Sequence, residues 1–351
     1  MTRTPFGVTP DGTPVELFTF RNTAGIQLSA MSYGGTIVSL RVPDRDGNLD
    51  DIVLGFDSLD GYLGHSHYFG AIVGRYANRI GRGRFEVDGS RYQLPINDEP
   101  HHLHGGARAF DRVVWRCEAF RDGPGEGLAL QHTSPDGDQG YPGRLNVEVR
   151  YLLSDRNELQ VDYLATTDKP TPVNLTQHSY FNLAGAGRGD ILDHQLTIHA
   201  NAYTPVDCTL IPTGKIVPVD GTPFDFRTPV AIGSRIGDPD PQLEYARGYD
   251  HNFVLRDEGP GLRHAAWVME PVSGRTVDVF TTEPGLQFYS GNQLDGIAGR
   301  GGRRYGRHAG FCLETQHYPD SPNRPEFPST LLIPGQEYHS RTVFAFGTEP
   351  A

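Results

Sequence analysis

The sequence predicts an all-β fold of antiparallel strands, and three observations carry that prediction. Short segments in which apolar and polar residues alternate recur along the chain, with the period of two of a half-buried strand. Glycine (43) and proline (27) make up about a fifth of the 351 residues, the composition of many strands joined by tight turns. Helix signals are scarce, and no long amphipathic helix is visible in the first half. A chain of this length can bury a sizeable core, and all-β folds run large, so length fits one domain as well as two. No repeat at a fixed period and no linker marks a second unit, so residues 1–351 read as a single domain.

In order, Val15–Arg21 alternates, and Ile26, Leu28 and Ala30 continue the period before Tyr33-Gly34-Gly35 breaks it. Thr36–Val42 resumes the pattern, and Asp44–Asn48 is a turn. Phe85–Leu94 reads as a hairpin around Asp88-Gly89, a pair suited to a two-residue primed turn. Val113–Phe120, Leu128–Thr133, Leu145–Leu153 and Glu158–Ala165 look like successive antiparallel strands, the last two joined by Ser154-Asp155-Arg156-Asn157. His194–His199 is a further strand, followed by a Pro- and Gly-punctuated passage from Thr213 to Phe226. Tyr249–Leu255, then Ala266–Pro271 and Arg275–Thr282 joined through Ser273-Gly274, lead to Thr330–Pro334 and Ser340–Phe346.

Composition excludes several classes of function. A net charge of −12 argues against a nucleic-acid surface. No stretch approaches the ~20 apolar residues of a membrane span, so no membrane partner is expected. Met1–Pro14 is polar, without a basic head and apolar run, and reads as no signal peptide. Cys117, Cys208 and Cys312 are odd in number and far apart, and read as reduced, buried thiols. Together these features point to the cytoplasm.

The chemistry gathers around Asn174-Leu175-Thr176-Gln177-His178-Ser179-Tyr180-Phe181-Asn182-Leu183. Side chains two apart on a strand share a face, so His178 and Tyr180 look into one cavity with Thr176 beside them. Asn174 and Asn182 join that face if the strand stays regular. A histidine titrates near neutral pH and is the commonest general acid or base, although one histidine in a β core is also an ordinary structural residue. Gly74-Arg75-Tyr76-Ala77-Asn78-Arg79-Ile80 is either a solvated turn or a polyol holder, since Asn and Arg offer several donors in fixed geometry. His101-His102-Leu103-His104 invites a zinc reading, but the spacing is not a recognised ligand pattern and no Cys or acidic partner follows at a typical interval. His65-Ser66-His67 is equally unsupported, so no metal and no organic cofactor is expected. Asp250 stands at the mouth of an apolar strand, where aspartate is commonly a turn former. Gln287 follows in Pro284–Asn292, and Glu314 in Gly310-Phe311-Cys312-Leu313-Glu314-Thr315-Gln316-His317-Tyr318-Pro319-Asp320. Leu313 and Thr315 alternate around Glu314, which turns its carboxylate away from the core. The loop Gly296–Gly310, with Arg300, Arg303, Arg304 and Arg307, lacks the phosphate-loop pattern.

The stretch around His178 resembles the signature of the aldose 1-epimerases (galactose mutarotases). The Gly-Arg-x-Ala-Asn-Arg-Ile string, Leu103-His104-Gly105-Gly106, the passage Pro212–Phe226, Tyr249-Asp250-His251 and the Glu314 segment resemble further motifs of that family, in its order. One departure is Gln177, where the signature usually has asparagine; the amide is kept with one more methylene. The resemblance implies a large antiparallel β-sandwich with a free sugar bound in a cleft on one sheet. It implies Glu314 and His178 as the catalytic pair, and Asn78, Arg79, His104, Tyr180, Asp250 and Gln287 as sugar contacts.

Interconverting anomers requires taking the proton from the anomeric hydroxyl while the ring oxygen receives one, and needs no metal or cofactor. Glu314 suits the base and His178 the acid, with the nearby carboxylate expected to keep the imidazole protonated near neutrality. A non-catalytic sugar binder on the same scaffold would not need both residues. A glycoside hydrolase using Asp250 and Glu314 would leave the histidines idle. A hexose-phosphate epimerase would call on the loop arginines. Monomer and homodimer both fit the sequence.

Overall fold

Alternation decides which side of each strand is buried. In Leu145–Leu153 the side chains of Leu145, Val147, Val149, Tyr151 and Leu153 are buried and the residues between them are wholly or partly exposed. The same alternation holds over shorter runs at Phe18 and Phe20 and at Ala266 and Val268, which are buried while Thr19 and Trp267 between them are half-buried. The structure, a computed structural model, describes residues 1–64, 67–259 and 261–350; His65 and Ser66 of the His65-Ser66-His67 run lie outside the described residues.

Three sheets carry the fold. A nine-stranded sheet runs in the order Arg116–Asp122, Gly125–Ser134, Leu145–Leu153, Glu158–Thr167, Tyr338–Thr348, Arg275–Thr281, Arg263–Met269, Gln195–Ile198 and Val230–Ala231. A five-stranded N-terminal meander comprises Thr2–Val8, Pro14–Arg21, Gln27–Met31, Ile37–Pro43 and Leu49–Asp51. The third sheet, also five-stranded, orders Val217–Pro218, Ala200–Thr204, Asp250–Leu255, Gly285–Tyr289 and Cys312–Gln316. All strand pairs within these sheets are antiparallel.

One apolar cluster joins all three. Phe18, Phe20 and Leu28 of the meander, Leu130, Val149, Val161, Val279 and Phe344 of the large sheet, and Phe253, Leu286, Phe288 and Leu313 of the third sheet belong to it. The large sheet is therefore covered on one face by the two smaller ones, the sandwich expected from the sequence. Two buried arginines tie the layers through backbone carbonyls. Arg275 donates to Val42, Leu183 and Asn48. Arg75 donates to Pro142, Gly143, Ser134 and Pro135. A buried guanidinium is tolerated because most of its donors are satisfied there, although Arg75 Nε has no partner among the described residues.

Several details differ from the sequence expectation. Thr2–Val8, which lacks a buried apolar row, is paired as an edge strand. Helices Leu59–Gly64 and Pro241–Ala246 are single turns and a half, too short to show a period; the second starts on an Asp240 cap with proline in its first turn. The segment 174–183 is not one strand. Only Thr176–His178 forms a strand, against Ala71–Val73, with single bridges at Asn174 and Phe181, and the Asn174 and Asn182 side chains turn to loop backbone at Ala77, His317 and Ala309. All three cysteines are free, but only Cys312 is buried; Cys117 is half-buried and Cys208 exposed on a turn, contrary to the expectation. Among the described residues no helix is long and apolar enough to cross a membrane.

Phe344 lies on the central strand of the large sheet and packs on Phe181, with ring centroids 5.5 Å apart, so it links that sheet to the His178 segment. Phe344→Ala should cost about 3–5 kcal/mol of stability, read as a lowered denaturant midpoint at unchanged slope.

Candidate active site

The third sheet turns Leu286, Phe288 and Leu313 into the core and aims the alternate side chains the other way. Register then sets neighbours: Asn252 pairs with Gln287 and Gln287 with Glu314, while Asp250 pairs with Tyr289 and Tyr289 with Cys312. Two cross-strand rows of polar side chains result, spaced as facing residues on a sheet must be. A cavity of about 220 Å³ sits on them, and Asn78, Arg79, His104, His178, Tyr180, Asp250 and Glu314 all line it. Gln287 stands just behind, donating from Nε2 to Asp250 Oδ1 at 2.7 Å. Eight expected residues, dispersed over most of the chain, thus meet in one place.

Each arrives by a definable local structure. His178 closes its short strand, and its carbonyl accepts from Gly70 N at 2.9 Å. Gly70 has φ +66°, and a Cβ there would fall 2.1 Å from the Ile37 carbonyl oxygen, so only glycine fits. The Gln177 amide uses both ends, donating to Gly70 O at 2.8 Å and accepting from Ser179 N at 2.9 Å. Its extra methylene relative to asparagine is thereby accommodated. Asn78 (φ 63°), His104 (φ 51°) and Tyr68 (φ 57°) all hold left-handed backbone, which non-glycine residues adopt at a cost and which clusters at functional sites. Arg79 donates from Nε to Asp98 at 2.8 Å and keeps NH1 3.9 Å from Asp250.

His178 Nε2 lies 3.6 Å from Glu314 Oε1, both side chains buried. Burial, and then the charge of Asp250, pushes the Glu314 carboxyl well above the usual range, against the pull of Arg79. Burial lowers His178 to about 4, with a hydrogen bond to its own backbone opposing. In the sugar-free site burial therefore opposes the protonated His178 that the neighbouring carboxylate led us to expect. Among the described residues, Glu314 Oε2 and Gln287 Oε1 have no hydrogen-bond partner within the protein.

The three-histidine run is divided. His102 is held by the Pro95 carbonyl and Tyr141, and His101 by Arg82 N and Thr209. Only His104 faces the cavity. With His178 and Glu314 it forms a different grouping, whose ligand-type atoms lie within 4.8 Å of one another. His104 Nδ1 accepts from Asn78 N at 3.1 Å, so its neutral ring carries the proton on Nε2. Metal-bound histidines instead donate from their second nitrogen. The second shell thus shapes His104 as a hydrogen-bond donor into the cavity and not as a ligand.

The sequence reading missed Tyr68, Asp98, Tyr289 and Gln293, which also line the cavity. Tyr289 was accessible as the residue two beyond Gln287 on the same strand; Asp98 looks like a turn former before Pro100. Thr176, placed beside His178, does not line the cavity. Nor does any of the four loop arginines: Arg300 pairs with Asp51, Arg303 donates to Ala186 O and Arg307 to Arg247 O.

Residues 16–345 match the family described as aldose 1-epimerase. The chain belongs to the aldose 1-epimerase family. It is 51% identical to the galactose mutarotase of Rattus norvegicus, covering 99% of this chain and 98% of that protein. It is 42% identical to the aldose 1-epimerase of Escherichia coli K12, with 97% of each covered. A galactose 1-epimerase structure from Lactobacillus acidophilus superposes with a TM-score of 0.88 at 28% identity, covering 99% of both chains. Membership of the aldose 1-epimerase family agrees with the sandwich and with the motifs read from the sequence.

The state of His104 gives a test independent of activity. Titrating Zn²⁺ into the protein by calorimetry should find no one-to-one site tighter than about 10 μM, far weaker than the affinities of dedicated zinc sites. A tight site abolished by His104→Ala would overturn the donor assignment.

Proposed function

We propose that this chain is an isomerase that interconverts the α and β anomers of free hexoses such as D-galactose and D-glucose, with Glu314 and His178 as its acid–base pair. The observation that carries this reading is the 3.6 Å pairing of His178 Nε2 and Glu314 Oε1 in a cavity lined, Leu103 aside, by hydrogen-bonding side chains. Asn78, Arg79, His104, Tyr180, Asp250 and Gln287 hold the pyranose, and that positioning itself lowers the barrier.

The pair needs one proton between its two members. In the loaded site Glu314 is ionised and His178 protonated, the sugar hydroxyls donating to the carboxylate. Glu314 takes the proton from the anomeric oxygen, the bond from C1 to the ring oxygen breaks, and His178 protonates that oxygen. The open aldehyde then faces a neutral carboxyl and a neutral imidazole, the distribution that burial favours. Rotation about C1–C2 and closure on the other carbonyl face return both protons. Both transfers discharge the buried ion pair, so burial assists them as charge is lost on the way to the transition state.

This reading takes residues 1–351 as one domain, supported by the last strand, Tyr338–Thr348, lying between Glu158–Thr167 and Arg275–Thr281. It puts the protein in the cytoplasm, where free thiols stay reduced, as a monomer or homodimer without nucleic-acid or membrane partners.

Polarimetry on freshly dissolved α-D-galactose tests the assignment. Glu314→Gln and His178→Asn should each lose at least ~100-fold in kcat. The double variant should be little worse than the poorer single one, because the two act as a unit. Near-wild-type mutarotation by either single variant would sink the pair. A second measurement compares glucose with glucose 6-phosphate by NMR exchange of the anomeric signals. The cavity presents Asp98, Asp250 and Glu314 against Arg79 alone. Free glucose should have the higher kcat/KM, and neutralising Arg303 and Arg304 together should change it by no more than about threefold. A preference of ~10-fold for the phosphate, lost in that double variant, would overturn the free-sugar reading.

A further inference from the structure

His178 must carry a positive charge in part of the cycle, yet it sits in a buried place that opposes one. Its surroundings explain how. Glu314 faces Nε2, and Cys312 Sγ from the same strand lies 3.6 Å from Nδ1. His104 meets the ring edge-on, with centroids 5.2 Å apart and planes at 81°. Arg79 and Asp250 stand further along the same wall. Two tyrosines present their ring faces. Tyr180 stacks at 5.1 Å and Tyr68 at 5.8 Å, each with its plane 28° from the imidazole. Both distances fall within the ~6 Å over which a cation is attracted by an aromatic face.

Tyr68 is also fixed to its target. Its carbonyl accepts from Ala71 N at 3.0 Å, and Gly70, two residues on, donates to the His178 carbonyl. Its ring meets His104 as well, at 4.7 Å and 65°, so one side chain braces both cavity histidines. The charges that reach its phenol are those of Asp111, Arg112, Asp98 and Arg79, and Arg79 also acts on Glu314 across the cavity.

We propose that Tyr68 is a positioning residue for the reaction: its ring holds the His178 imidazole against Glu314 and, with Tyr180, stabilises the imidazolium form by its π face. The inference rests on the mutarotase reading for its kinetic consequences only. The sign follows directly. The ring favours the charged imidazole, so losing it lowers the pH at which the pair takes up a second proton, and makes the protonated His178 needed in each turnover costlier to form.

The test compares Tyr68→Phe, which keeps the ring, with Tyr68→Leu, which removes it. Tyr68→Leu should lower kcat by about tenfold with KM within about threefold. In a ¹⁵N-histidine NMR titration its His178 midpoint should move to lower pH, and Tyr68→Phe should keep the wild-type midpoint. A folded Tyr68→Leu protein with unchanged kcat and midpoint would overturn the proposal. So would a Tyr68→Phe protein as impaired as Tyr68→Leu, since the hydroxyl and not the ring would then matter. Where Tyr68→Leu does not fold, pentafluorophenylalanine at position 68 keeps the ring's shape and reverses its quadrupole. A midpoint equal to that of Tyr68→Phe would overturn the proposal in the same way. Absence of mutarotation in the wild-type protein would defeat the functional reading, while the NMR comparison would still decide the role of the ring.

Discussion

Holding a carboxyl group and an imidazole 3.6 Å apart with both side chains buried is the constraint on which the rest of this structure depends. Neither group tolerates burial as an ion, and each is driven toward its neutral form. A single shared proton reconciles them. Nearly everything around the pair fixes its geometry: Gly70 against the His178 carbonyl, the Gln177 amide on Gly70, and the register that sets Gln287 beside Glu314.

An antiparallel sandwich suits this task because each strand serves two layers. In Cys312–Gln316, Leu313 and Thr315 face the large sheet, Thr315 meeting Thr342 at 2.6 Å, while Glu314 points into the cavity. A displacement of the Glu314 carboxylate would therefore have to displace core packing as well. The left-handed backbone at Asn78, His104 and Tyr68 has the same logic, since a strained conformation persists only where its surroundings over-determine it.

Much of this was legible in the sequence. Leu145–Leu153 was bounded correctly because its alternation is strict, and Asp88-Gly89 announced its hairpin. The site residues were legible because their spacing sits inside family motifs, not because any one of them is distinctive alone. What stayed hidden depends on three dimensions. Thr2–Val8 carries no buried row to betray a strand. Tyr68 reaches His178 across more than a hundred residues, through a turn whose outcome is fixed by Gly70 packing on Ile37. The downward shift of His178 in the sugar-free site stayed hidden because sequence shows the neighbouring charge but not the burial.

The place of the last strand has a consequence for the order of assembly. Tyr338–Thr348 fills the gap between Glu158–Thr167 and Arg275–Thr281 in the middle of the large sheet. As the polypeptide leaves the ribosome, those two strands stand as open edges with no hydrogen-bonding partner between them until the final segment has emerged. Such edges invite pairing with other chains. Translation speed and chaperone protection over the last third of the chain thus bear on the yield of native protein, independently of how stable the finished sandwich is.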